Sequence, residues 1–376
     1  MLLLPDQVDI PSPPVTIEGA VPRLLPLAAP RRALRHAVVV DAGAPADPDD
    51  PTPCPQVLAD HLMLRASAVD LLTGAGPLPR HPDLVVGFTS RPAGAGTATD
   101  LSRSCGAPLV LVVHELGAAD AARERRALRA ADVVAITSEA FRGPVRERGV
   151  ADGRIAVLPD WAHVVPTWLD RREARRALGW PERAFVAVHA GMTRRQDPAV
   201  LVEAARRAGP DVLVALVGAG PRADQVRDLA AGLPNVLFTG ALEAERRALT
   251  LVAADVLVLS ESLGPGQLVL PPDLGSCLVA ARPVVAAAVP GGVTQAELAR
   301  AHGAGLVVPA GAADLVAEAL LTLRADPGRR VAMGLAALAH AEVQLTLPHS
   351  LACFDGIVDA ALSRPSARRC GQARTA

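Results

Sequence analysis

The stretch AFVAVHAG (Ala184–Gly191), DPAVLVEAARRA (Asp197–Ala208), DVLVALVGAG (Asp211–Gly220) and PRADQVRDLAAG (Pro221–Gly232) decides the fold. The first and third pieces are almost continuously apolar and end on glycine, whereas the second and fourth repeat apolar residues at helical spacing. Continuous apolar runs mark strands buried on both faces, which occur where helices cover a parallel sheet. The rhythm continues downstream, with NVLFTG, DVLVLSES, RPVVAAAV and GLVVPA as strands and EAERRALTLVAA, LGSCLVAA and VTQAELARAH as helices. Loops this short belong to right-handed βαβ units. Two helices remain, DLVAEALLTLRAD and the segment from Pro327 to about Leu362, before an Arg-rich tail from Ser363 that is expected to be loose.

Upstream, RIAVLPDWAH (Arg154–His163) reads as a short strand ending at Pro159, and a linker containing Pro166 follows it. Strands are expected at Ala37–Asp41, Leu84–Phe88, Pro108–Glu115 and Asp132–Ser138, with helices at Thr97–Cys105 and Ala118–Ala130. A chain of 376 residues accommodates two domains at roughly 150 residues each. The expectation is therefore an α/β protein of two Rossmann-like domains, each with a parallel sheet. The divisions are an irregular proline-rich arm over 1–30, a first domain over 31–163, a second over 164–345, and a C-terminal helix with a loose tail over 346–376.

Half the residues are apolar and a fifth are charged, which excludes a disordered or fibrous chain. With a formal net charge of −1 there is no basic field to gather nucleic acid. Every basic residue is arginine and tyrosine is absent, the bias of a GC-rich genome such as an actinobacterium. The five cysteines form no C-x-x-C pair and are odd in number, so reduced thiols and a cytoplasmic location are expected. In MLLLPDQVDI, Pro5 and Asp6 interrupt the apolar start before a signal-peptide core forms, and no run of about 18 uninterrupted apolar residues suggests a spanning helix.

Several motifs in order carry a resemblance. They are GVADGRIAVLPDWAH, HAGMTRRQDP, LVGAGPRADQVRDLA followed by PNVLFTGAL, then AADVLVLSES, VLPPDL, AARPVVAA and GAGLVVPAG. Together they resemble the retaining glycosyltransferases of family 4, which have the two-domain GT-B fold, and most closely the colanic acid or exopolysaccharide branch. The likeness runs from about Pro82 to His340. It implies two sheets facing a central cleft, with a nucleotide-sugar donor held by the second domain and an unidentified acceptor by the first.

Such chemistry must stabilise charge developing on a nucleotide diphosphate, a task suited to fixed cations and helix N-termini. In HAGMTRRQDP, Gly191 would let backbone approach the phosphates while Arg194 and Arg195, followed by Gln196, supply planar guanidinium groups. The alternative is a solvated arginine pair at a helix start. Gly218, Gly220 and Pro221 form a second strand-to-helix turn with Arg222 beside it, serving either the nucleotide or sheet-helix packing. His114 ends a strand of the first domain and is the catalytic candidate, since strand carboxyl ends face the ligand crevice; a structural histidine is the competing reading. Ser138, before a helix, reads as an N-cap.

The resemblance further implies donor contacts at Glu261, Leu270 and Ser276, yet here the sequence departs from the family. Two glutamates eight positions apart usually bracket the donor sugar and ribose. Glu261 is followed eight residues on by Val269, and the second glutamate falls near Ser276. The branch's Leu-Pro-Ser-Lys-Leu is Leu-Pro-Pro-Asp-Leu over 270–274, so Asp273 replaces a cation, and Asp160 stands for the Asn before Trp161. No cofactor or metal is expected, because no His or carboxylate cluster has ligand spacing. The leading expectation is hexosyl transfer, with a catalytically impaired homologue that binds a partner as the alternative. The run RERRALRA (Arg123–Ala130) reads as a solvated helix face or as a patch for transient membrane-surface contact.

Overall fold

The computed structural model describes residues 33–41, 54–73, 81–90, 92–117, 121–164, 169–220, 222–262 and 267–364. The expected arm over 1–30, the tail beyond 364 and Pro221 lie outside them. The first half contains β1 (Ala37–Val40), α1 (Cys54–Leu62), β2 (Val69–Leu72), β3 (Leu84–Phe88), α2 (Pro92–Cys105), β4 (Leu109–Val113), β5 (Glu115–Leu116), α3 (Ala121–Ala130), β6 (Val133–Ile136), α4 (Arg142–Glu147) and β7 (Ile155–Val157). The second half contains α5 (Arg171–Leu178), β8 (Phe185–Ala190), α6 (Ala199–Ala208), β9 (Val212–Val217), α7 (Ala223–Leu229), β10 (Val236–Gly240), α8 (Ala244–Ala253) and β11 (Val256–Ser260). It continues through β12 (Leu268–Val269), α9 (Leu274–Val279), β13 (Val284–Ala288), α10 (Val293–Arg300), β14 (Gly305–Pro309), α11 (Ala313–Ala325), α12 (Pro327–Gln344) and α13 (Leu347–Ser363).

Two six-stranded parallel sheets result. The first has the order β2-β1-β3-β4-β6-β7 and the second β10-β9-β8-β11-β13-β14. Every residue of β3, β4, β6, β11 and β13 is buried, as the unbroken apolar runs require. Each such Val or Leu side chain contributes roughly 1.5–3 kcal/mol of burial. One hydrophobic cluster joins the two halves, running from Val38 and Val113 through Trp180 to Val188 and Leu259.

Three features depart from the sequence reading. Helix α5 forms where a linker is expected, because Asp170 accepts from the Glu173 amide in a capping box and Gly179 closes the helix at φ 71°. Helix α1 and strand β2 lie in a stretch to which the sequence reading assigns no element, and β2 adds a further edge strand beside β1. The segment from Pro327 is not one helix: it breaks at Leu345–Thr346, where Thr346 accepts from the His349 amide and Pro348 begins the next turn.

The break sends the chain back across the molecule. Helix α12 packs on α9 and α11 of the second half, whereas α13 packs on β4 and β6 of the first. Phe354, Ile357 and Val358 join the core of the first sheet, and Asp355 is clasped by His61 at 3.1 Å and Arg65 at 3.2 Å. The stretch Pro327–Ser363 is long and apolar enough by composition to cross a membrane, with a mean hydropathy of 1.2 over its most apolar window. Its two halves are instead docked on different sheets.

Candidate functional site in the cleft between the two sheets

Ligands of open parallel sheets sit beyond the strand carboxyl ends at the point where strand order reverses. In the second sheet that point lies between β8 and β11. The loops after β8, β9 and β11 converge there.

The loop after β8 begins at Gly191, with φ 91°, and is fastened on every side. Gln196 pairs with Glu261 in an isolated antiparallel bridge. Its side-chain carbonyl accepts from the Thr193 amide at 2.8 Å and its amide nitrogen donates to Asp273 at 3.3 Å. The Arg222 guanidinium donates to the Gln196 carbonyl. Gly218 (φ 118°) and Gly220 follow β9 and lie against this loop. A Cβ on Gly220 would lie 1.7 Å from the Met192 carbonyl oxygen, and one on Gly191 would lie 2.7 Å from Asp273 Oδ2. These glycines seat one loop on the other.

The arginines behave differently from one another. Arg194 is exposed. Arg195 reaches across the cleft to an ion pair with Glu115 at the end of the first sheet, and its carbonyl accepts from the Ser262 amide at 2.7 Å. Glu261 accepts two hydrogen bonds: Thr294 donates its hydroxyl to one oxygen and the Val289 amide donates to the other at 2.7 Å. Burial raises its pKa, and those two donors only partly offset the rise. Ser276 Oγ accepts from the Val164 amide at 3.0 Å, tying α9 to the interdomain crossing, and Leu270 donates its amide to the His114 carbonyl at 3.0 Å.

Asp273, which replaces a cation in the branch pattern, is buried and pairs with Arg247 on α8 at 2.7 Å. The cation is retained but comes from another element. Sequence reasoning missed this pair because the partners are far apart in the chain.

On the facing wall, His114 is buried at the end of β4 with its ring stacked on Phe88 at 6.2 Å. Asp160 and His163 lie beside it, with His163 Nε2 3.4 Å from Asp160 and its ring edge-on to Trp161 at 5.2 Å. Burial pushes the Asp160 carboxyl up, but His163 and His114 outweigh it and hold it below the usual range. Ser138 accepts from the Ala140 amide as a cap and donates to Glu297 of the second domain at 2.5 Å.

The cleft is crossed by main chain as well. Strand β5 pairs antiparallel with β12, Leu116 opposite Leu268 and Glu115 opposite Val269. Neither two-residue strand has a periodicity that sequence could reveal. Away from the cleft, the arginines of α3 make local contacts: Arg126 lies 3.8 Å from Asp100, and Arg129 donates to the Arg148 carbonyl at 2.8 Å.

Residues 184–326 match the family described as Glycosyl transferases group 1. A GDP-mannose-dependent monoacylated alpha-(1-6)-phosphatidylinositol monomannoside mannosyltransferase of Corynebacterium glutamicum is 30% identical over 180 residues, covering 46% of this chain and 47% of the relative. The chain thus spans about half the length of that curated relative. Among solved structures, Anabaena HepE in complex with UDP-glucose superposes with a TM-score of 0.69 at 17% identity, covering 88% of this chain and all of that one. Sucrose-phosphate synthase from Thermosynechococcus elongatus gives 0.66 at 18% identity, covering 86% and 98%. Residues 184–326 thus resemble the group 1 glycosyltransferases, and the two sheets together have the GT-B fold.

Proposed function

We propose that the chain transfers a hexose from a nucleoside-diphosphate sugar to a saccharide, lipid-linked or small-molecule acceptor bound in the cleft, with retention at the anomeric carbon. The observation that carries the reading is the convergence of the three carboxyl-end loops at the switch point of the second sheet, with Arg195 reaching across the cleft to Glu115. Two guanidinium groups on the loop after β8 would take the charge that develops on the departing diphosphate, which is where electrostatic catalysis has most effect. His114 would contact the sugar or phosphate from the opposite wall. Charge supplied by arginine makes a metal and a cofactor unnecessary in this reading. The HepE complex with UDP-glucose and the mannosyltransferase relative support a nucleotide-sugar donor.

A cytoplasmic enzyme fits such a donor. Contact with a membrane surface through α3 would have to compete with Asp100 and the Arg148 carbonyl for its arginines. Incubation with UDP-glucose, UDP-N-acetylglucosamine, GDP-mannose and their relatives, followed by detection of the released nucleoside diphosphate, tests the reading. Turnover of at least one donor is expected. Absence of turnover together with no donor-induced rise in Tm would defeat it.

A further inference from the structure

Arg195, assigned above to the donor phosphates, already holds an anion. Its partner is Glu115, whose side chain is 9% exposed while that of Arg195 is 46% exposed. Glu115 is fixed in place by its backbone: its carbonyl accepts from Thr89 Oγ1 at 2.7 Å, and it lies in the β5–β12 ladder opposite Val269. The next rung down is the Leu270 amide donating to the His114 carbonyl at 3.0 Å. Arg195 is steadied from the other side, since its carbonyl accepts from the Ser262 amide at 2.7 Å. Two walls of one cleft thus present a cation and an anion to each other, at the place where the substrate's own anion is to bind.

From this we infer that Glu115 is a built-in competitor for the anion-binding arginine, and that it lowers the affinity of the cleft for a diphosphate. The inference rests on the reading of Arg195 as a phosphate ligand. A neutral ligand gives Arg195 nothing in exchange for the carboxylate and does not displace it. A diphosphate offers two or more charges and several oxygens to a planar guanidinium, so it displaces one carboxylate. Glu115 accordingly holds down the affinity of the cleft for a diphosphate, and so sets how readily the donor and the diphosphate product leave it.

The test is a double-mutant cycle on Glu115→Gln and Arg195→Gln, with UDP and GDP as charged probes and uridine and guanosine as neutral ones, read by calorimetry on the full chain. Glutamine keeps the size of the side chain and its backbone contacts, and removes only the charge. Because Arg195 is half exposed, solvent screening limits the pair, and Glu115→Gln is expected to tighten diphosphate binding by about fivefold. Nucleoside affinity should stay as it is, and the gain should vanish when Arg195 is also Gln. Glu115→Asp, one methylene shorter, should give a smaller gain. Unchanged or weaker diphosphate binding by Glu115→Gln overturns the inference while leaving the donor site standing. Failure of wild type and every variant to bind either diphosphate removes the donor site itself, and the inference with it.

Discussion

The two sheets of this chain differ by one permutation. In the second, three strands lie in reverse order before the switch, β10-β9-β8, and the crevice opens between β8 and β11; in the first only β2 and β1 do, and the crevice opens between β1 and β3. The loops at the second crevice bind each other, through Gln196, Asp273, Arg222 and the glycines. At the first, the loop after β1 lies outside the described residues, and the ordered polar groups stand further along, at His114 and Asp160. The difference teaches where each half invests its rigidity. The second-sheet side is preorganised by loop-on-loop contacts, and the facing side offers a few buried side chains at strand ends.

A second contrast lies within the second half, at its opposite pole. There Asp255 accepts from Arg175 at 2.6 Å and from Arg171, while Arg175 also donates to the carbonyls of Ala253, Glu182 and Ala184. Arg282 caps the end of α8 through Val252 and Ala254, and burial pulls its guanidinium down to about 10. Removing the lone acid breaks this arrangement most severely. Asp255→Ala is expected to cost about 3–5 kcal/mol in denaturant unfolding, because it strands buried cations. A loss below about 1 kcal/mol would show that the carbonyls suffice.

The carboxyl-end pole is tested by activity instead. Replacing Arg194 and Arg195 together with Ala is expected to lower kcat/KM at least about 100-fold, with the unfolding midpoint unchanged. A shifted midpoint would place these residues in the scaffold. Beneath them, His189 is buried, hydrogen-bonded to Ser260 at 2.8 Å, and drawn by burial down to about 4. It stays neutral in the fold while the unfolded chain takes up a proton near 6.5, so stability is full above that value and is lost as pH falls towards 4. The slope should total on the order of 3 kcal/mol and be absent from His189→Asn; a slope that survives the substitution assigns acid sensitivity elsewhere.

Gly220→Ala sharpens the loop-on-loop picture, with an expected loss of about 2 kcal/mol and a higher donor KM from displacement of the Met192 turn. Wild-type stability in this variant would mean that the two loops separate without cost. At the lower end, Arg126→Ala should change stability by no more than about 0.5 kcal/mol, since its contact with Asp100 is exposed.

How much of this was legible follows from the kind of signal involved. Strands such as Val212–Val217 and Val256–Ser260 announce themselves because burial on both faces demands unbroken apolar residues. Helix α5, RREARRAL, has little apolar stripe, and its end signals, Asp170 with Glu173 and then Gly179, were the only trace it left. At the candidate site the loops could be read from the sequence, but not the hydrogen bonds that join them. Glu261 stands where the resemblance puts a sugar-binding acid, yet its oxygens are taken by Thr294 and Val289. Arg247 supplies Asp273 with a partner that no local pattern connects to it.

The return of α13 to the first sheet has a temporal side. Phe354 and Val358 complete a core whose strands end at Val157, so the domain made first lacks part of its interior until the last helix emerges. At typical synthesis rates that interval is roughly 10–40 s. Over that span β4 and β6 present an uncovered apolar face, and the second half, complete earlier, is the first to become native. A nascent chain stalled before Leu347 should therefore hold a finished second half joined to an unfinished first one.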